Sequence, residues 1–450
     1  MSCSILISIL VILFGVYVAY LHSRMKYKFS EFDVPSARPL EKSVPTLIIK
    51  EYELLARGQV NGIESLAVVD GVIYAGDQDC NMLKIENGKV TQKFPLIKNK
   101  QCSNCCAPLG IRYWHAANKF VILDAILGVL VLDYSTESVE QLYSSINLLG
   151  KYSNMFANDF DFINNDTIVL SDFAGGYSMS DGFVCFYGAT RTSRLIQFNL
   201  RTREAKVLLD DQLGLNGVQS HTDKQSVLVA QSITSQIFRY YFAGPKQGKV
   251  EVFIDKMLGY PDNIRPSSKG NTFWVPHFAI RAPGTRTLAQ RLGPYPALRS
   301  WLYSITQAIH PELFYLISGI GETNLHTAVE LDVNGKIVSA VIDEDGVLPF
   351  TTQVTDDGTY FSLTKSGSMA SDLEYNALRY NLNKASFIFI TNGTTLAAIS
   401  LVVFMFLYFQ FLFPSIKTIH RRHQCGSSSK AKRSKPDDKS TVSDSKLSVS

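Results

Sequence analysis

"GYPDNIRPSSKGNTFWVPH", Gly259 to His277, sets Asp262 and Asn263 side by side, behind Pro261 and ahead of a Val/Trp-rich run. Proline followed by Asp-Asn reads as a turn, and the apolar run after it as a strand. Two oxygen-bearing side chains therefore stand where a strand is about to begin. The same rhythm recurs along the body. "SLAVVDGVIYAGD" from Ser65 leads into "MLKIENGKV"; "KFVILDAILGVLVLDY", "DFINNDTIVLSDF", "NGVQSHTDKQSVLVAQS" and "TTQVTDDGTYFSLTKSG" repeat it. Each unit reads as strand, turn, strand, usually with a further hairpin. Comparable points fall at Glu64, Leu109, Asn158, Asn216, Asp262 and Thr351. Most spacings are roughly 45 to 60 residues, the period of a four-stranded propeller blade.

The last interval is longer, and it contains "TRTLAQRLGPYPALRSWLYSITQAIHPELFYLIS". Leu298, Trp301, Leu302, Ile305 and Ile309 share one face of that helical stretch. Such a face suits packing over a propeller rim or contact with a membrane surface. The expected fold class is all-β: a six-bladed β-propeller with a helical insertion at 285–318, flanked by N- and C-terminal transmembrane helices.

In a propeller the first strand of each blade lines the axis, so its opening residues converge from distant positions. Those residues are Glu64, Asn158, Asn216 and Asp262, with Asn263 adjacent. All are hard oxygen donors, carboxylate or amide, and none is a thiolate or imidazole. The set suits one axial Ca²⁺, which takes six to eight oxygen ligands, and its two carboxylates balance the charge. The competing reading is a channel lined by polar groups and water.

Two apolar runs lie outside this pattern. "SILISILVILFGVYVAYL", Ser4–Leu21, and "LAAISLVVFMFLYFQFLF", Leu396–Phe413, are each long enough for a bilayer span, at about 18 residues. Behind the second come nine Lys and Arg against three Asp, so the net charge of +4 conceals a slightly acidic body. The positive-inside rule puts that tail in the cytosol and the body in the lumen or outside the cell. Arg24, Lys26 and Lys28, just after the first run, favour the opposite orientation. The expected organisation is an anchor at 1–29, the propeller at 30–385, a second span at 386–415 and a disordered basic tail at 416–450. The location is then a membrane, endoplasmic reticulum or plasma membrane. No base-reading module accompanies the basic tail, which excludes nucleic acid as a partner.

In an oxidising lumen a pair within "CSNCC", such as Cys102 and Cys105, closes a small loop; in the cytosol the same spacing suggests zinc or redox chemistry. There is no second Cys pair and no His at ligand spacing to support zinc. Asn165-Asp166-Thr167 is a glycosylation sequon in an expected turn. Asn392-Gly393-Thr394 is another, close to the second span.

"RYYFAGPKQGKVEVFIDKMLGYPDNIRPSSKGNTFWV" resembles the signature of the strictosidine synthase-like proteins, and within them the adipocyte plasma membrane-associated group. "GIESLAV", "APLGIRY", "NDFDF" and "LNGVQ" look like further motifs of that group in the same order. The resemblance implies a six-bladed propeller, usually anchored by an N-terminal span and more distantly related to paraoxonases and gluconolactonases. It also implies that Glu64, Asn158, Asn216, Asp262 and Asn263 match the axial calcium ligands of that superfamily. Ser65 stands where paraoxonases carry an acidic residue for a second calcium, so a single calcium is expected.

Catalysis at a calcium needs a base or nucleophile beside it. Strictosidine synthases use a glutamate where this chain has Thr351, and the paraoxonase histidine dyad falls on Leu109 and Ala125. Both mechanisms are missing. The remaining candidates are His115, His221 and His277. The resemblance supplies a weak calcium-dependent hydrolase of aryl esters or lactones. The alternatives are a non-catalytic propeller that binds or helps assemble a membrane protein partner, and one that binds a lipid or small molecule.

Overall fold

The computed structural model describes residues 3–49, 55–97, 105–282, 284–310, 312–323, 326–343, 351–356 and 361–365. The expected second span, the basic tail, Cys102 and the Asn392 sequon lie outside them. The described fold is mostly β. Four antiparallel sheets of four strands follow one another, each ordered edge to edge as in the chain. The first holds Leu66–Val69, Val72–Asp77, Asn81–Glu86 and Lys89–Pro95. The second holds Pro108–Trp114, Lys119–Asp124, Gly128–Asp133 and Ser138–Ser144. The third holds Ala157–Phe162, Thr167–Asp172, Ser193–Asn199 and Ala205–Gln212, and the fourth Leu215–Ser220, Ser226–Gln231, Gln236–Tyr241 and Val250–Ile254. Local chemistry sets the hairpins. Asp70-Gly71 and Asn87-Gly88 take left-handed φ values of 52°, 76°, 51° and 72°, the mirror-image turns whose twist matches that of the flanking strands.

A fifth, seven-stranded sheet runs Thr46–Ile48, Ile337–Asp343, His326–Asp332, Thr272–Arg281, Gly259–Pro261, with Arg265–Pro266 and Glu322–Thr323 also paired to its long strand. Its outermost strand comes from the N-terminal segment and lies parallel to its neighbour, Thr46 opposite Ala340. The sequence pattern carries no sign of that pairing. A two-stranded sheet, Thr351–Asp356 with Phe361–Lys365, completes the described strands.

The sheets are arranged like propeller blades, and the core lies between their faces. Val121, Leu123 and Val129 of the second sheet meet Phe160, Ile168 and Leu170 of the third. Leu228, Ala230 and Ile237 of the fourth meet Phe273, Val275 and Val329 of the fifth. Each such side chain contributes about 1.5–3 kcal/mol when fully buried. The first strands of the four regular sheets pack flank to flank in order. The two-stranded sheet reaches the first: Thr352 Oγ1 donates to the Glu64 carbonyl at 2.7 Å, and Ser65 Oγ to Gln353 Oε1 at 2.7 Å.

Helices gather at one end. They are α1, Cys3–Arg24; α2, Gly182–Gly188, inside the third sheet's long loop; and α3, Leu288–Arg291, α4, Pro296–Ile309, and α5, Leu313–Ser318, which interrupt the fifth sheet. Thr287 and Gln290 form a capping box at the start of α3, and Pro296 opens α4. The first apolar run is thus helical, but no helix among the described residues is long and apolar enough to cross a membrane. The face of α4 bearing Trp301 is met by α1, where Phe14 stands edge-on to Trp301 at 5.2 Å and His22 Nδ1 lies 2.7 Å from Ser300 Oγ. On its other side α4 buries Arg299 and Thr306. The chain after α1 is not a free spacer: Phe29 packs on Tyr303 and Phe314, and Tyr27 donates to Asp181 at 2.6 Å.

Candidate functional site

Every expected axial residue stands at the head of a first strand. Glu64 immediately precedes Ser65 and Leu66–Val69, Asn158 and Asn216 are the second residues of theirs, and Asp262-Asn263 bridges Gly259–Pro261 and Arg265–Pro266. Glu64 and Asn216 are half-buried, Asn158 is buried, and Asp262 and Asn263 are only 3% and 1% exposed. Close approach of these strands depends on glycine. A Cβ at Gly217 would lie 2.3 Å from the Asp262 carbonyl oxygen, and one at Gly110 2.7 Å from the Asn158 carbonyl. No side chain larger than hydrogen leaves room there.

Electrostatics link the heads of these strands. Burial raises the Asp262 carboxyl well above the usual range, and the carboxylates of Glu64 and Asp159 push it further; a hydrogen bond from Asn216 and the charge of Arg265 pull it back. Asp262 Oδ1, Asn216 Oδ1 and both amide atoms of Asn263 are buried without a hydrogen-bond partner. An orphaned buried oxygen costs about 1–3 kcal/mol, so this concentration of acceptors at one level fits a hard cation. Among the described residues no group of three or more His, Cys, Asp or Glu is placed to hold a metal. The set here differs in kind, two carboxylates with amide oxygens, which is the donor chemistry of Ca²⁺.

Beside these heads lie two ion pairs, one fully and one largely buried, that inspection of the sequence missed. Arg265 grips Asp159 with both arms, at 2.8 and 3.0 Å. Arg112 lies 3.6 Å from Asp161 and donates to the carbonyls of Phe160 and Val218 at 2.7 and 2.9 Å. Each pair cancels its own formal charge, which leaves the two carboxyl groups of the candidate set to balance a cation. The available signal was an arginine in "DNIRP", just after a run of buried residues, and another in "LGIRY", inside a mostly buried strand.

The three histidines separate. His115 and His221 follow the ends of their strands, roughly 17–20 Å from the heads at about 3.3 Å per residue. His115 is exposed against the Tyr113 ring, and His221 Nε2 lies 3.0 Å from the Val333 carbonyl. Neither comes to the candidate site. His277 pairs with Pro261, next to Asp262. Its Nδ1 lies 2.9 Å from Thr327 Oγ1, its Nε2 is buried without a partner, and burial pulls it down to about 4. Leu109 and Ala125 sit in an apolar cluster with Phe156, Phe173 and Cys185. Phe186 of α2 reaches from there to Tyr260, ring centroids 4.9 Å apart.

A bridge joins Cys80 to Cys106, 26 residues apart, and Cys105 is also disulfide-bonded. The sequence reading looked for a local loop only; its Cys102–Cys105 pair involves a residue outside the described ones. Asn165 is exposed in the turn before Thr167–Asp172.

The strictosidine synthase family model matches residues 158–245. The adipocyte plasma membrane-associated protein of Rattus norvegicus is 30% identical over 267 residues, 58% of this chain and 70% of that protein. Its Homo sapiens counterpart is 30% identical over 268 residues, 58% of this chain but 64% of that protein. Strictosidine synthase-like 13 of Arabidopsis thaliana is 27% identical over 251 residues, covering 55% and 59%. Among solved structures, a luciferin-regenerating enzyme superposes with a TM-score of 0.47 at 13% identity, covering 70% of this chain and 88% of that one. The calcium-binding protein regucalcin of Agrobacterium tumefaciens also reaches 0.47, at 12% identity, covering 74% and 91%. At those scores neither structure bears on function.

Proposed function

This chain belongs to the strictosidine synthase-like family, in the adipocyte plasma membrane-associated group, and from that premise we propose a six-bladed, membrane-tethered propeller that holds one Ca²⁺ on its axis. The ligands are Glu64, Asn158, Asn216, Asp262 and Asn263. One observation carries the reading: orphaned oxygens of Asn216, Asp262 and Asn263 are buried at the heads of converging strands. The contacts of Thr352 with Glu64 and of Ser65 with Gln353 favour six blades closing into a ring.

Bound Ca²⁺ supplies Lewis acidity toward an ester or lactone carbonyl. The chain's own residues do the rest. Glu64 and Asp262 balance the charge, while the amides of Asn158, Asn216 and Asn263 complete the oxygen set. His277 is neutral at physiological pH and offers Nε2 as an acceptor, its ring fixed through Nδ1 by Thr327. These features support weak hydrolysis of aryl esters or lactones, with His277 as the base. The second reading is a non-catalytic calcium propeller that binds a lipid or a membrane protein partner. It is favoured by the loss of the dyad at Leu109 and Ala125, where an apolar cluster stands instead.

The Cys80–Cys106 bridge supports a body in an oxidising compartment, with Asn165 glycosylated and the C-terminal tail cytosolic. Tethering by Ser4–Leu21 and Leu396–Phe413 is part of the proposal.

The experiment is calcium stoichiometry on the full-length protein in detergent, with phenyl acetate turnover before and after chelation, wild type beside Asp262→Asn and His277→Gln. One calcium, with turnover lost on chelation and in both variants, supports the hydrolase. One calcium whose removal lowers only the melting temperature supports the binding propeller. No calcium overturns the proposal.

A further inference from the structure

We propose that Arg265 is the positioning residue of the axial site: its guanidinium is a fixed internal cation that sets the spacing of the strands carrying the candidate ligands. The inference rests on the calcium reading above. It concerns a residue that is not itself a ligand.

The argument lies in what Arg265 touches. The side chain is 4% exposed. Both arms bind Asp159, the residue after Asn158. Nη2 also donates to Ser65 Oγ at 3.1 Å, the residue after Glu64, and Nη1 to the Ile264 carbonyl at 2.8 Å, the residue after Asn263. Asp159 Oδ2 accepts from the Val218 amide at 2.9 Å, two residues beyond Asn216. Ser65 Oγ accepts from the Ile111 amide at 3.3 Å and donates to Gln353 Oε1 at 2.7 Å. One planar fork, through two intermediaries, reaches the first strands of the second, third and fourth sheets and of the two-stranded sheet, and the residue that leads into the first strand of the first. All the partners that adjoin a ligand are one or two residues from it.

Stability alone is a poor account of this arrangement. A buried ion pair repays little of its desolvation cost, and apolar replacements of whole pairs are often neutral. Geometry gives a better account. Guanidinium is rigid and bidentate, so it fixes distances that a lysine or a water would leave loose. Ligand oxygens drawn from distant parts of the chain need such a reference point, since a bound ion tolerates little misplacement of its supporting shell. Arg112 provides the internal control. Its side chain is 12% exposed and also paired, but its carboxylate partner Asp161 lies three residues past Asn158. It meets the strands of Asn216 and Asn263 through the Val218 and Ile264 carbonyls and Gln219 rather than through a side chain adjoining a ligand, and its own strand carries no candidate ligand.

The test is calcium titration by calorimetry on full-length protein in detergent, with calcium chloride as the probe and thermal unfolding in chelator as a second readout. Arg265→Met combined with Asp159→Asn removes a neutral pair, so the net charge facing the ion is unchanged and any loss of affinity reports position. The expected result is calcium Kd at least about tenfold weaker, with a cooperative melt retained. Arg265→Lys keeps the charge without the fork, and an intermediate weakening of about threefold or more is expected. Arg112→Met should lower the melting temperature and leave Kd within twofold. Should the double variant not fold, Arg265→Lys decides alone. Unchanged Kd in Arg265→Lys, or in a folded double variant, overturns the inference while leaving the calcium reading intact, as does equal weakening in Arg112→Met. No calcium on the wild type overturns both.

Discussion

Arg265 among the strand heads and Arg299 in the helical cap are both buried, at 4% and 1% exposure, but they are satisfied in opposite ways. Arg265 meets a carboxylate, Asp159. Arg299 meets only carbonyls: Ser30 at 2.5 Å, Leu292 at 3.2 Å and Gly293 at 3.3 Å, with Tyr187 and Gly188 at the end of α2. The rings of Phe32 and Phe29 lie beside it, at 4.8 and 5.8 Å. Burial alone pulls its guanidinium down to about 9. At the strand heads, then, arginine offsets the acidic charge of Asp159 beside Asp262 and Glu64. In the cap it serves as a five-donor staple joining the segment after α1, the end of α2 and the loop before α4. The first arrangement sets electrostatic geometry. The second ties the segment after α1 to the helical cap.

That contrast can be broken most forcefully at Arg265. Arg265→Met leaves Asp159 buried and unpaired, and a loss of about 3–5 kcal/mol is expected in denaturant unfolding; restoring neutrality with Asp159→Asn should recover most of it. Arg299→Met leaves no buried charge behind, only carbonyls without donors, so a smaller loss of about 1–3 kcal/mol is expected, and no second substitution should rescue it. An equal cost for the two, or rescue of Arg299→Met by a neutralised acid, would mean that the comparison is wrong.

His277 separates the regions by pH. Its ring falls to about 4 in the folded state because burial disfavours the imidazolium, against an ordinary value near 6.5. The unfolded chain therefore binds the extra proton first. Stability from this group is complete above about pH 6.5, declines as the pH falls toward 4 and levels off below, a total of about 3 kcal/mol. Unfolding midpoints from pH 7.5 to 4 should follow that slope, and His277→Gln should flatten it; Arg299→Met should leave it unchanged. The smallest effect is expected outside both regions. Asn165→Gln should abolish an endoglycosidase-sensitive mobility shift and change stability by no more than about 0.5 kcal/mol.

The legible parts of this protein were local. Alternating strands and Asp-Gly or Asn-Gly turns announced the sheets. The strand-head position of Asp262, read with its counterparts, picked out oxygen-bearing residues that do stand at strand heads, Asn158, Asp262 and Asn263 buried and Glu64 and Asn216 half-buried. Cys80–Cys106 was illegible because one cysteine lies in a turn of the first sheet and the other in the segment that leads into the second, and they become neighbours only when those sheets stack. His115 and His221 looked equivalent to His277 as side chains in or near loops, and only the direction of each strand sends two of them to the far end.

The sequence by itself determined the strand repeat, the family and the oxygen-bearing residue types at the strand heads, since period, turn residues and side-chain oxygens are properties of short stretches. Tertiary structure alone decided that Thr46–Ile48 would extend the fifth sheet, that the face of α4 with Trp301 would meet α1, and that Arg265 would find Asp159, 106 residues away. The physical reason is common to all three. A backbone edge, an apolar face and a buried charge each specify what kind of partner they need, and only the packing of the sheets specifies which one they get.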